Sequence, residues 1–587
     1  MSFTKIIDST RDLLRNDPNK RWLKILLLIG IGCHLLYLSI RILPSYPNGD
    51  GPEYVLMTEA LYNHASPDIR ISDIESFKKA ATRSHKWDQV GRFYDFNDYE
   101  AFLKKESHPF MDYHKGMFVS KDNKFYFYHF YTYSLLNVPL RFISQINNFT
   151  PLRIYQVTNA IIIIVTCFIL LFYSSYKPWP TIFIALSYVF SSVYWYMGWP
   201  SPEVLSISLV TLSFWFFFQG KRFLPIFLLA FAGMQNQPLA ILAIYISLVV
   251  IFEQGIKIKP IARLFFANLL FILPPVFYYY HFGTANLIKD TGILDWGVVT
   301  PNRILGFFTD LNQGMILVIP LLLLTYPLLW IRELIAAIKT RDFRHHLLIP
   351  FFLIGMISIF CTMINWNHGM AVINRYATWS SAVLMIHAFY MLKGFSLVKQ
   401  TLIITACFIV QLASVLFNNK YYNHLDWDQN LNKPWAIWVY ENIPWIYNPD
   451  PNIFFVRTSK SYNFIPEESP VVYLDKAGVL CKILVHKDHL NKLTQWGVPA
   501  DKLDSLSQTR CYTNGWAYFN KGEIVSDYSA AELLNVKKEA RIKILIEDML
   551  RSTEWYKEIQ KKAIQNNVSV EEMMRRDAIY LYSLETN

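Results

Sequence analysis

The chain has little charge and few cysteines for its length. Only 17% of its 587 residues are Asp, Glu, Lys or Arg, and it contains six cysteines. The Cys and His residues show no metal-type spacing, and no nucleotide-binding Gly-rich loop is present. The lack of such a loop argues against a cytosolic sugar-nucleotide donor and against an ATP-driven pump. The chain also has no internal repeat and no low-complexity tract.

Apolar residues are abundant instead, at 53% of the chain. Long apolar runs recur from residue 22 to about residue 417, which predicts a polytopic α-helical membrane protein. The first run is too long for a signal-peptide core, so we interpret it as a retained span. The runs predict about 11 transmembrane helices, at 22–43, 152–175, 178–197, 203–218, 223–235, 238–253, 261–280, 314–331, 346–364, 376–392 and 399–417.

The distribution of charge orients these spans. The net charge is +11, but the tail from residue 418 has 21 basic and 22 acidic residues, so the excess lies in the membrane part and does not indicate nucleic-acid binding. With a cytoplasmic N-terminus, the inner loops hold 18 basic residues and the short outer loops hold 3. An odd number of spans then places the C-terminal tail outside. We expect a multi-pass protein of the cell (inner) membrane.

This topology divides the chain into three regions. Residues 1–21 form a cytoplasmic N-terminus, residues 22–417 a transmembrane domain, and residues 418–587 an extracytoplasmic soluble domain. Within the membrane domain, residues 44–151 form a first extracytoplasmic loop, and loops of this length without a function are uncommon. We interpret its aromatic run, 126–146, as an interfacial helix, because a crossing there would reverse the charge count.

The C-terminal domain has an α+β pattern. Strand-like runs occur at 471–474 and 483–485, and a helical pattern extends over 529–583. Cys481 and Cys511 lie in this region, where a disulfide is permitted if the tail is outside the cytosol.

The most informative stretch is the turn 46–54, directly after the first span. It places Asp50 between Gly49 and Gly51, and Pro52 suits the first position of a predicted helix extending to about residue 63. Two flanking glycines let the backbone come close to a ligand. The structural alternative is that Asp50 caps this helix.

Other polar groups fall on the same predicted side of the membrane. Ionisable residues at this depth are costly and usually line a polar cavity. A carboxylate can take a proton from an acceptor hydroxyl, and a guanidinium binds phosphate through two parallel hydrogen bonds. Simpler roles are a helix cap for Glu203, a membrane-edge arginine for Arg375 and a turn histidine for His368. The outer-face groups are Asp50, Glu53, Glu203, Gln235, Gln237, His368 and Arg375.

These residues resemble the motifs of a known family. Over about 22–417 the chain resembles the GT-C superfamily of membrane glycosyltransferases, specifically bacterial relatives of the dolichyl-phosphate-mannose-protein mannosyltransferases. The resemblance rests on four elements in order: Gly49-Asp50-Gly51…Tyr54, Pro202-Glu203, Leu305-Gly306-Phe307-Phe308…Gln313-Gly314-Met315…Pro320, and Trp366…Gly369…Asn374-Arg375-Tyr376. The chain departs from the family at 233–238, where it lacks a basic residue, and at the start of the interfacial helix.

The resemblance implies an inverting transfer of a sugar from a polyprenyl-phosphate donor to a hydroxyl of a protein, lipid or glycan on the outer face. It implies that Asp50 is the general base, with Glu53 as the nearest second acid. The donor phosphate would bind Arg375, together with Arg303. The remaining substrate-binding candidates are Tyr54, Glu203, Gln235 and His368.

No cofactor is expected, although a divalent ion between Asp50 and Glu203 stays open. Two other functions also stay open. One is a transporter or flippase, and the other is a non-catalytic binding protein for lipid-linked sugars.

Overall fold

The computed structural model describes residues 18–41, 49–84, 96–342, 344–366, 372–419, 431–460, 470–496, 515–521, 530–551, 553–566 and 568–586. The chain divides into two compact units. The first consists of residues 1–364 and 368–428, and the second of residues 365–367 and 429–587.

The described part of the first unit is mostly helical. Its helices are α1 (Pro18–Arg41), α2 (Gly51–His64), α3 (Ile71–Arg83), α4 (Asn97–Leu103), α5 (Thr132–Ile146), α6 (Arg153–Phe172), α7 (Pro178–Val189), α8 (Val193–Tyr196), α9 (Glu203–Phe217), α10 (Phe223–Gln235), α11 (Ala240–Gln254), α12 (Ile258–Asn268), α13 (Leu273–Phe282), α14 (Leu287–Asp290), α15 (Pro301–Thr309), α16 (Pro320–Thr340), α17 (Ile349–Phe360), α18 (Arg375–Met391) and α19 (Leu397–Asn419).

Each predicted apolar run contains helix, and six helical segments are long and apolar enough to cross a membrane. These segments are Arg21–Ile40, Arg153–Phe172, Gln237–Gln254, Ile258–Phe282, Pro320–Thr340 and Leu397–Asn418. Four further apolar helices are shorter: Pro178–Val189, Glu203–Phe217, Phe223–Gln235 and His345–Phe360. The fold is therefore that of a helical membrane protein, with six full-length candidate spans among the described residues.

Two predicted spans differ from the helices that form. The run 178–197 is interrupted after Val189, where the Ser191 hydroxyl donates to the Tyr188 carbonyl and accepts from the Val193 amide, so a local turn replaces the helical hydrogen bonds. The run 314–331 starts with a short 3₁₀ helix, Met315–Leu317, and becomes α-helical only at Pro320, the first residue of α16, which extends to Thr340.

Two side-chain contacts join segments of the first unit that are separate in the sequence. Arg222 donates to both carboxylate oxygens of Glu253, at 2.7 and 2.8 Å. The Tyr196 hydroxyl donates to the Ile373 carbonyl at 2.9 Å.

Helix α9 lies at the centre of the first unit. It is apolar on all sides, and nearly every residue from Glu203 to Phe217 is buried. It packs against α6, α10 and α18. A helix that is apolar all round is typical of a fully enclosed position. Helix α9 therefore holds its N-terminal residue, Glu203, in a fixed position inside the first unit.

The long loop between α1 and α6 is folded. The predicted helix after Pro52 occurs as α2, and α2, α3 and α4 accompany a three-stranded antiparallel sheet, β1 (Tyr113–His114), β2 (Met117–Val119) and β3 (Phe125–Phe127). The prediction of one aromatic helix over 126–146 is wrong in its first part, because Phe125–Phe127 pairs with β2. The backbone of this segment finds its partners across the sheet, and the helix begins only at Thr132.

Helix α5 has its polar face inside and its apolar face outside. Its polar stripe, which includes Asn137 and Arg141, is buried, whereas Leu135, Phe142 and Ile146 are 51%, 59% and 69% exposed. A water-soluble protein shows the opposite arrangement. The arrangement is typical of a helix whose outer face contacts lipid, and its 15 residues are short for a crossing.

The second unit combines helices with a small sheet. Its strands β4 (Val471–Leu474), β5 (Leu480–His486) and β6 (Trp516–Asn520) form an antiparallel sheet in that order, over a core of aliphatic and aromatic side chains. Its helices are α20 (Pro434–Asn442), α21 (Pro451–Ser459), α22 (Ala530–Arg551), α23 (Thr553–Gln565) and α24 (Val570–Thr586). Cys481 is buried, and Cys511 lies outside the described residues.

Candidate active site

Asp50 directly precedes helix α2 but does not cap it with its side chain. Gly49 takes a positive φ of 56° before it, and the Asp50 carbonyl accepts a hydrogen bond from the Glu53 amide, in the first turn of the helix, at 3.2 Å. The Asp50 carboxylate makes no capping hydrogen bond. The capping alternative therefore does not explain this carboxylate, which is directed elsewhere.

The partner of Asp50 is Arg375, the first residue of α18. Arg375 Nη1 donates a hydrogen bond to Asp50 Oδ2. Helix α18 begins here because the Asn374 side chain caps it, accepting from the Tyr376 amide at 2.9 Å. The Arg375 guanidinium also lies 5.8 Å from the ring centre of Trp199. Its Nε is buried and has no hydrogen-bond partner among the described residues.

Glu53 and His129 form a second polar pair beside Asp50. Glu53 lies one position after Pro52 on the first turn of α2, and its Oε2 is 3.0 Å from His129 Nδ1. His129 Nε2 is 4.0 Å from Asp50 Oδ2. The imidazole therefore lies between the two carboxylates and connects them.

Burial controls the protonation of this pair. Burial raises the pKa of Glu53 to about 7, against the opposing effect of His129. Burial also disfavours the charged form of His129, but the negative charges of Glu53 and Asp50 outweigh it and raise the pKa of the imidazole. The pair therefore holds at least one proton near neutral pH, and its titration is shared between the two residues.

Gly116 allows this pair to form. Its φ is +88°, and a Cβ at this position would lie 2.7 Å from Glu53 Oε1 and 2.7 Å from a ring carbon of Tyr128. The turn between β1 and β2 therefore passes directly over Glu53, and only glycine fits there.

Glu203 lies at the start of α9 and is 3% exposed. Its Oε2 accepts a hydrogen bond from Trp379 Nε1 at 2.9 Å. Trp379 is one helical turn after Arg375 on α18, so α9 and α18 together hold this carboxylate near the guanidinium.

Tyr54 and Gln235 support the other side. The Gln235 side chain accepts from the Tyr133 amide at 3.0 Å and donates to the Tyr54 hydroxyl at 3.4 Å. The Tyr54 ring stacks on His129 with 5.8 Å between ring centres. The structure thus brings Tyr54 to the cluster, and Gln235 acts through Tyr54 and Tyr133.

Arg303 donates hydrogen bonds to backbone carbonyls. It is buried, and its Nη1 donates to the carbonyls of Cys361 and Met363 at 3.0 and 2.8 Å. These contacts brace the end of α17. His368 lies outside the described residues.

One group of side chains has the composition of a metal site. Ligand atoms of Asp50, Glu53 and His129 all lie within 4.8 Å of one another. Two carboxylates and an imidazole suit a transition metal, although Arg375 already supplies a positive charge to Asp50. Glu203, which the sequence suggested as a possible second ligand beside Asp50, is not part of this group.

Sequence reasoning did not select His129 and Trp379. His129 is the one imidazole in the aromatic run 128–133, which is an unusual position for a polar ring. Trp379 follows Arg375 by four positions, the spacing that places two side chains on one helix face. Both signals are local and weak without the fold.

Comparisons of the chain with protein-family models, with curated proteins and with solved structures find no match. The resemblance to the GT-C superfamily therefore stays a prediction from the quoted motifs, and the function is argued from the cluster itself.

Proposed function

We propose that the protein is a membrane glycosyltransferase that moves a sugar from a polyprenyl-phosphate carrier to an acceptor hydroxyl. The observation that carries the proposal is the meeting of Asp50 with Arg375, beside Glu53 and His129. A base and a phosphate-binding cation in one mostly buried cluster are what this reaction needs.

In the proposed reaction, the acceptor oxygen forms a bond to the anomeric carbon while the bond from that carbon to the phosphate oxygen breaks. The hydroxyl proton passes to the Asp50 carboxylate. The leaving polyprenyl phosphate takes the bonding electrons, and the Arg375 guanidinium stabilises its charge. Attack opposite to the leaving group inverts the anomeric centre.

Two further groups have supporting roles in the proposal. His129 lies between Asp50 and Glu53, so the pair offers an exit for the proton that Asp50 receives. Glu203 and Tyr54 stand beside the guanidinium and the imidazole, and we assign them to substrate binding.

The proposal includes the finer topology: about eleven spans in the cell (inner) membrane, a cytoplasmic N-terminus and an extracytoplasmic C-terminal domain. The excess of 18 inner over 3 outer basic residues supports it. The cluster then faces outward, where lipid-linked sugars serve envelope glycosylation. The acceptor class is a protein, a lipid or a glycan.

The test is a transfer assay with purified protein and a panel of polyprenyl-phosphate sugars, comparing the wild type with Asp50→Asn. We expect release of polyprenyl phosphate by the wild type only, with donor binding retained in the variant. Equal turnover of the two proteins would contradict the assignment of the base. Tight donor binding without release by the wild type would favour a carrier or assembly protein.

A further inference from the structure

A cavity lies between helices α2, α3 and α5, apart from the cluster around Asp50. It has a volume of about 410 Å³. Most of the residues that line it have polar or charged side chains. The residues that line it include Asn63, Ser76, Lys79, Arg83, Arg141 and Gln145.

Arg141 forms the buried wall of the cavity. It is 2% exposed, and it is anchored to Glu59 by Nε to Oε1 at 2.5 Å and by Nη2 to Oε2 at 2.9 Å. Its Nη1 has no hydrogen-bond partner among the described residues. This atom is closed to solvent and the pair with Glu59 neutralises the guanidinium, so a ligand in the cavity would meet the charges of its rim.

The rim carries excess positive charge. Glu75, Lys79 and Arg83 follow one another at four-residue spacing on α3, and all three are exposed. Lys79 and Arg83 form no ion pair within the described residues, and like charges at this spacing repel each other. Because Glu59 balances Arg141, the rim sets two cations against one carboxylate. The cavity therefore suits a ligand with one negative charge.

The surroundings indicate where this anion comes from. The ring of Tyr62, in the lining, lies 6.5 Å from that of Phe142, on the exposed apolar stripe of α5. The stripe continues to Ile146, next to the lining residue Gln145. A molecule with a phosphate in the cavity could thus lay a hydrocarbon chain along α5.

We propose that this cavity binds the headgroup of an anionic phospholipid, with its acyl chains along the exposed face of α5. A phospholipid and a soluble ligand could both supply the phosphate that binds in the cavity. The apolar stripe of α5 favours the phospholipid. The site is independent of the proposed transfer reaction, because none of its lining residues belongs to the cluster around Asp50.

Native mass spectrometry of the full-length protein in detergent, titrated with phosphatidylglycerol, tests this proposal. We expect one lipid to bind more tightly than the rest, and Lys79→Gln with Arg83→Gln to weaken it by about fivefold for each charge removed. The matched control is Lys121→Gln with Lys124→Gln, which removes two exposed charges from the same loop and should leave binding unchanged.

Two further arms identify the source of the phosphate. Inorganic phosphate and glycerol phosphate should not displace the lipid at millimolar concentration, and phosphatidylcholine should bind more weakly. Equal lipid binding by the Lys79/Arg83 variant and the wild type would overturn the proposal. Displacement by soluble phosphate would overturn the lipid as the source.

Discussion

Arg375 donates a hydrogen bond from Nη1 to the Asp50 carboxylate, although the two residues are 325 positions apart in the chain. Their side chains are only 13% and 15% exposed. Removing either partner leaves a charge that is largely cut off from water. Replacing either side chain by alanine would therefore lower both the stability and the activity of the protein. Conservative replacements separate the two effects.

Replacement of Arg375 by lysine should weaken donor binding by about tenfold or more while the protein stays folded. Lysine keeps the positive charge but cannot offer a fixed pair of donors to a phosphate. The measurements are the dissociation constant for a polyprenyl-phosphate sugar and the melting temperature. The matched control is Arg303→Lys, since Arg303 donates to backbone carbonyls. If Arg303→Lys lost affinity and Arg375→Lys did not, the phosphate site would move to Arg303.

The stability of the wild type should fall relative to Glu53→Gln as pH rises from 5 to 8. The pKa of Glu53 is raised in the fold to about 7, from 4.5, so the folded state favours the protonated form. That contribution is fully present below about pH 4.5 and is lost as pH rises through about 7. The raised pKa of His129 acts in the same direction. The difference should reach at most about 3 kcal/mol, since one pKa unit corresponds to about 1.4 kcal/mol.

Melting temperatures of both proteins at several pH values measure this difference. Glu100→Gln is the control, because hydrogen bonds from Lys104 and Lys78 lower the pKa of Glu100 to about 2. A lowered pKa contributes stability that is present above the unfolded value and constant between pH 5 and 8. Parallel curves for the wild type and Glu53→Gln would show that Glu53 is not buried as a carboxylic acid.

Gly116→Ala should reduce transfer by up to about 100-fold, the cost that displacing a catalytic group by about 1 Å can reach. Its Cβ would contact Glu53 Oε1 and Tyr128 at 2.7 Å, so Glu53 must move away from His129. Gly292→Ala is the matched control, because Gly292 also has a positive φ but nothing lies within 4 Å of its added Cβ. Turnover of both variants is measured at equal folded fraction. A similar loss in both would mean that backbone strain, and not contact with Glu53, causes the effect.

Arg141→Met should cost about 3–5 kcal/mol of stability, because it leaves the Glu59 carboxylate buried without its partner. The double variant with Glu59→Gln should recover most of this loss. Replacing Arg575 by methionine should cost under about 1 kcal/mol, since its pair with Glu539 is about half exposed. Thermal unfolding of the four proteins provides the comparison. An equal loss in the single and double variants would show that packing of the arginine stem matters more than its charge.

Much of the architecture follows from local patterns. The helix α2 was predictable because Pro52 suits the first turn of a helix. The strands β4 and β5 were likewise predicted, from the strand-like runs 471–474 and 483–485. The prediction failed at Phe125–Phe127, because strand pairing with Met117–Val119 depends on a neighbour that periodicity does not reveal.

The sequence by itself determined the apolar helices, the asymmetry of basic charge between their loops and the position of Asp50 beside a helix start. These properties are local, since length, hydropathy and turn chemistry are set by neighbouring residues. Only the tertiary structure decided that Asp50 pairs with Arg375, that His129 joins Glu53, and that Arg303 serves the backbone. The reason is physical: buried charges must find partners, and those partners are chosen by how distant helices pack.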